Sequence, residues 1–229
     1  MRDRSRFDAH DVGSHPRVAA AAALAGGAVA LVSAILLGAA FGFRLDDVAP
    51  DLAALPADRA GLVRWGALTD MVGFYLLSVP VALYCGHRFD AGRDPLVAVA
   101  TTAALMFAVI GSIGAVTVAT VVPPLLGVGT EQAAGVLGLV RQVVFIGMWQ
   151  TLETIPWGVW MLVIGLRLRP TSRWLSVTAL GIGVATLVVA MGRIGGVEWL
   201  VHIPATLAIA AFPLWLLGVG GRLLKAGDL

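Results

Sequence analysis

The sequence predicts an all-α protein, a polytopic bundle of six transmembrane helices with the N and C termini both cytoplasmic. Three observations predict it. Of 229 residues, 59% are hydrophobic and 13% charged, with a mean hydropathy of +0.89. Soluble domains carry about 25% charged residues, so a bilayer is the better solvent for this chain. Six apolar stretches approach or exceed the roughly 20 residues that cross a hydrocarbon core. The basic residues then alternate between the two ends of those stretches.

The first span, Val18–Phe43, follows a basic, polar segment. A cleaved signal peptide has a similar order, but its apolar core is about half as long, so a retained helix is expected. The second span is Leu62–Cys85. The third, Leu96–Val122, holds no charge and stops at Pro123-Pro124. The fourth is Leu139–Leu166, the fifth Trp174–Met191 and the sixth Leu200–Leu223. Residues 1–17 and 225–229 are read as cytoplasmic tails around one transmembrane domain, 18–224, because no hydrophilic stretch is long enough for a second.

Orientation follows from Lys and Arg in the short loops. One side collects Arg2, Arg4, Arg6, Arg17, Arg88, Arg93, Arg167, Arg169, Arg173, Arg222 and Lys225. The other has Arg44, Arg59, Arg64, Arg141 and Arg193. The richer side is assigned to the cytoplasm of a bacterial inner membrane. The longest outer loop carries Asp46, Asp47, Asp51 and Asp58, and a short surface helix is expected near residues 50–60. Trp65, Trp174 and Trp199 fall at span ends, as an interfacial belt requires. Trp149, Trp157 and Trp160 fall deeper and are expected inside the bundle. Gly26, Gly27, Gly111, Gly114, Gly181 and Gly183 read as close-packing surfaces within the bundle or on another copy of the chain, since small residues let membrane helices approach.

Several chemistries are excluded. Lys225, the only lysine, sits at the chain end, which leaves no intramembrane Schiff base. Cys85 is the only cysteine, so neither an intramolecular disulfide nor a multi-thiolate metal site can form. No metal or cofactor is expected. No Lys/Arg run points to nucleic acid. His202 is the only histidine in the helical region, which argues against haem held by two histidines. Ser112 and His202 fall at similar depth, but the surrounding Gly111-Ser112-Ile113-Gly114 lacks a Gly-x-Ser-Gly order and an evident oxyanion donor.

Two acids stand out, because a charge at the bilayer centre costs roughly 2.5–3.5 kcal/mol and so turns inward towards partners. Asp70 lies about two turns into the second span and Glu153 near the middle of the fourth. Around Glu153, the residues Gln142, Gln150 and Trp157 recur at spacings that favour one face of a 3.6-residue helix. Pro156 lacks an amide donor and disturbs the carbonyl of Leu152. Arg141, Arg193 and His202 lie towards the same outer side. The expectation is an outward-open polar cavity floored by Glu153, with Arg141 or Arg193 as counter-charge to an acid.

The run Trp65-Gly-Ala-Leu-Thr-Asp70-Met-Val-Gly73 resembles a segment of small bacterial six-helix membrane proteins classed only as a domain of unknown function. So do Ile155-Pro156, the turn Gly165-Leu-Arg-Leu-Arg169-Pro170, Trp174 and Gly181. The resemblance implies a fold and a membrane location, and no activity. From the residues themselves, the leading reading is the binding or movement of a lipid or other small apolar ligand in the outer cavity. A structural or partner subunit is the first alternative. The second is an intramembrane enzyme of isoprenoid-cyclase type, with Glu153 or Asp70 as general acid; enzyme activity is not the favoured reading.

Overall fold

A computed structural model describes residues 16–43, 49–226 and 229. Arg2, Arg4, Arg6 and the two histidines of the N-terminal tail, together with Arg44, Asp46 and Asp47, lie outside them. Among the described residues the chain is helical and contains no strand. Six helices are long and apolar enough to cross a membrane: α1 Pro16–Phe41, α2 Ala57–Arg88, α3 Pro95–Leu125, α4 Glu131–Leu168, α5 Arg173–Gly195 and α6 Trp199–Ala226. All six anticipated spans are present, with α2 and α4 longer than hydropathy alone suggested. The protein is thus a multi-pass helical membrane protein by length and composition.

Each helix packs mainly on its neighbours in sequence, and α6 closes the ring on α1. Glycines set the closest approaches. A Cβ on Gly27 would meet Leu217 and the Pro213 carbonyl, and one on Gly220 would meet Leu24. The start of α1 therefore lies beside the end of α6, which places the two helical termini at one end of the bundle. That end is called the terminal side here. The opposite end carries the α1–α2 connection and is called the loop side. Gly158 and Gly183 admit Leu187 and Leu162 across the α4–α5 seam. Gly181 makes no close approach within the bundle: it is exposed, with open space where a Cβ would stand.

The loop connection holds two 3-10 turns, Leu52–Ala54 and Ala57–Arg59, where one short surface helix was expected. Asp51 caps the first turn by accepting from the Ala53 amide. Arg59 donates to the Ala39 carbonyl at 2.7 Å, satisfying an acceptor at the end of α1. Gly42, at φ +83°, then reverses the chain, and Phe43 folds back over Gly38. Trp65, Trp174 and Trp199 are exposed towards the ends of their helices.

The interior has two levels. Near mid-bundle, Phe107 stacks on Trp157 at 5.2 Å between ring centroids, and Phe212 meets Phe74 at 5.0 Å and Trp157 at 5.3 Å. Trp160 and Trp215 extend this layer towards the terminal side. Tryptophan and phenylalanine fill volume that the many alanines leave, and tilted ring pairs add about 0.5–1.5 kcal/mol each beyond their area. On the loop side of the layer a second core joins α2, α3 and α4 around Val63, Val118, Val122 and Phe145, and the space beside it is open.

Candidate functional site

A cavity of about 600 Å³ occupies the loop-side half of the bundle. Helices α1, α2, α4, α5 and α6 contribute to its wall. Asp70, Gln150, Glu153 and Trp157, four of the eight polar or aromatic residues singled out in the sequence, line it. Asp70 and Glu153 therefore face one space. Most of the remaining wall is alanine, leucine, isoleucine and aromatic, so the cavity is an apolar chamber with a polar floor, not the polar cleft that the stripe on α4 suggested.

The floor is built from two helices interrupted in the same way. In α2, residues Met71–Leu76 form a π-helical segment that begins directly after Asp70. In α4, Arg141–Leu152 form a longer one that ends directly before Glu153. Such segments are rare and gather at functional sites. Each is closed by a proline. Pro80 stands four residues after Leu76, and Pro156 four after Leu152. Neither proline can donate to the carbonyl four residues back, so the α-helix restarts with its proline in the first turn, where the missing donor is tolerated. The five-residue hydrogen bonds across the junctions run from the Leu77 amide to the Val72 carbonyl, 3.0 Å, and from the Glu153 amide to the Met148 carbonyl, 2.8 Å. Hydroxyls reach the loosened backbone: Ser78 donates to the Tyr75 carbonyl at 2.7 Å, Thr151 to that of Ile146 at 2.8 Å, and Thr154 to that of Thr151 at 3.0 Å. This is how membrane helices keep a break satisfied away from water.

At the floor, the Tyr75 hydroxyl donates to the Glu153 carboxyl, 3.2 and 3.3 Å from its two oxygens. Glu153 is 4% exposed. Ser33 of α1 donates to the Gly66 carbonyl at 3.0 Å and to Asp70 at 3.3 Å. Two carboxyl groups are thus each held by a neutral hydroxyl. Helix α3 makes room for the arrangement. A Cβ on Gly111 would lie 1.9 Å from the Tyr75 ring, and one on Gly114 would lie 2.4 Å from the Trp149 indole nitrogen. These two glycines, read from sequence as a packing face, are the seats of two cavity-wall aromatics.

The anticipated counter-charges are engaged elsewhere. Among the described residues neither acid is in a salt bridge. Arg141 donates from Nε to the Ala49 carbonyl at 2.7 Å and ties α4 to the loop connection. Arg193, its side chain 9% exposed, donates to both Glu198 oxygens at 2.7 and 2.8 Å and from Nε to the Gln150 amide oxygen at 2.6 Å. His202 lies 3.6 Å from Glu198. Arg193, Glu198 and His202 therefore form a polar rim at the loop-side end of α5 and α6, joined to the cavity through Gln150. Gln142 is exposed and does not line the cavity. The 3.6-residue spacing that aligned it with Glu153 does not hold across a π segment, where each turn takes in more residues. No group of three His, Cys, Asp or Glu among the described residues could hold a metal.

Sequence reasoning missed Ser33, Tyr75, Thr186 and Thr206, which also line the cavity. The signal for Tyr75 was its place five residues after Asp70, beside a proline-marked break.

The cavity also opens sideways. On the terminal side α1 and α6 are in close contact through Gly27 and Gly220. From Ala30 towards the loop, both helices line the cavity instead, through Ala34 and Ile35 of α1 and Ala205, Ile209 and Ala210 of α6. Ile35 is 61% and Ile209 42% exposed, so these wall residues are also on the outer face of the bundle. Pro213 sits where contact gives way to cavity, and it leaves the Ile209 carbonyl without its helical donor.

No family model, curated protein or solved structure matches this chain.

Proposed function

We propose that this protein binds a small apolar or lipid-like molecule in the loop-side cavity, with the Tyr75–Glu153 pair as the polar anchor at its floor. The observation that carries the reading is a carboxyl buried to 4% exposure at the base of a chamber of about 600 Å³ whose walls are mostly hydrocarbon. That volume lies in the range of small-molecule sites, which pair apolar walls with a few placed polar groups. Fixing helix register alone would not require space beside the acids. The proposal includes a bacterial inner membrane, cytoplasmic termini and kinship with the uncharacterised six-helix class. The arginine distribution supports the orientation, which a compartment-specific reporter fused after Leu229 reads directly.

The test is lipid retention. The protein is purified in mild detergent, examined by native mass spectrometry, then extracted with solvent. One lipid-like species is expected on the wild type and depleted several-fold on Glu153→Leu. Equal retention by both, or none on the wild type, argues that the acids only join helices.

One observation keeps a catalytic reading in second place. Asp70 and Glu153 share the cavity with Trp157 and Phe74. A carboxylic acid that protonates an isoprenoid double bond, with aromatic faces stabilising the carbocation until a proton leaves a neighbouring carbon, has the groups it needs here. Conversion of an added polyprenyl substrate to a cyclic isomer would raise this reading above simple binding.

A further inference from the structure

We infer that the occupant of the cavity is a lipophilic cation drawn from the membrane through the opening between α1 and α6. The inference rests on the reading that the cavity is a binding site, and adds the chemical class of ligand and its route.

Charge decides the class. Two carboxyl groups line the cavity, and no Arg, Lys or His does. The two arginines expected as counter-charges are committed: Arg193 to Glu198 and Gln150, Arg141 to the Ala49 carbonyl. A carboxylate in a low-dielectric interior is costly unless paired. The partners it has among the described residues are hydroxyls, Ser33 for Asp70 and Tyr75 for Glu153. A bound cation supplies the missing charge. An anion would meet two acids, and a hydrocarbon would leave both unpaired. The walls suit the same class. Trp149, Trp157, Phe74 and Tyr75 line the cavity, and aromatic faces attract cations, tryptophan most strongly.

Position decides the route. The opening lies between apolar halves of two membrane-spanning helices, at Ile35 and Ile209. What faces those residues is lipid, where lipophilic cations concentrate. A cation partitioned there reaches Asp70 and Glu153 without crossing the aromatic layer below them.

The test uses the full-length protein in mild detergent and two probes of matched shape and opposite charge, tetraphenylphosphonium and tetraphenylborate. Binding is read by calorimetry and by the shift in Tm. Tetraphenylphosphonium is expected to bind and raise Tm, and tetraphenylborate to do neither. Glu153→Gln and, separately, Asp70→Asn are expected to weaken phosphonium binding at least about tenfold, as loss of one member of a buried charge pair does. Asp94→Asn removes an acid at the terminal side, where Asp94 pairs with Arg167, and leaves binding unchanged. Equal binding of the two probes, or full binding by both cavity variants, overturns the inference. If the wild type retains a neutral lipid and binds neither probe, the cation assignment fails while the binding reading stands. If it retains nothing and binds neither, both fail.

Discussion

Gly73→Ala is expected to destabilise the bundle by about 3 kcal/mol, the upper end of what overpacking costs. The new methyl carbon would stand 2.4 Å from the Ala30 amide nitrogen and 2.8 Å from the Val29 carbonyl carbon. Both are backbone atoms of α1, so no rotamer change relieves the contact, and α1 and α2 must separate. Ser33 and Asp70 bridge the same two helices one turn away, so the hydrogen bond holding Asp70 is strained as well. At roughly 2–4 °C per kcal/mol for a chain of this size, Tm should fall by about 6–12 °C. Gly181→Ala is the control, since nothing lies within 4 Å of its added carbon, and it should leave Tm unchanged or slightly raised. A similar Tm for both variants would show that α1 and α2 are not in contact at Gly73.

Gly111→Ala should act on the site itself. Its methyl would fall 1.9 Å from the Tyr75 ring, which unlike backbone can swing away. The swing takes the hydroxyl from Glu153, whose side-chain hydrogen-bond partner among the described residues is that hydroxyl at 3.2 Å. A buried acid left unsatisfied costs about 1–3 kcal/mol or more. Thermal stability and retained ligand should therefore fall together. Coupling separates this account from a general packing defect. In a Tyr75→Ala background the added methyl has room, so the second substitution should cost little, and the pair should fall short of additivity by 1 kcal/mol or more. Additive losses would place Tyr75 away from Gly111.

Much of this architecture was legible in the sequence because a bilayer imposes simple demands. Backbone groups must be satisfied within each span, so spans are long, helical and apolar, and hydropathy reports them. Asp70 and Glu153 were legible for the converse reason, since acids within apolar runs turn inward. Tyr75 was only faintly legible as a site residue, through its place after Asp70 beside a proline-marked break. An aromatic in a membrane helix reads as packing, and only the meeting of α2 with α4 makes its hydroxyl the partner of Glu153. Ser33 was hidden by the low cost of a small hydroxyl in a helix. Gln142 was misplaced because one period was carried through a π segment, although Pro156 marked where that segment ends. The arginines were given to the acids by shared depth alone. Arg193 instead met Glu198, five residues away across a tight turn, and Arg141 met a loop carbonyl that hydropathy cannot locate.

The loop-side chamber between α1 and α6 is expected to take up a molecule from the bilayer. Uptake is read with a photoreactive long-chain amine in reconstituted vesicles and peptide mapping of the crosslinks. Labels are expected to concentrate on residues 34–43 of the α1 end and 205–210 of α6, and to be competed by excess unlabelled amine. Labels spread evenly over lipid-facing positions such as Met106 and Val109 of α3, without competition, would contradict it.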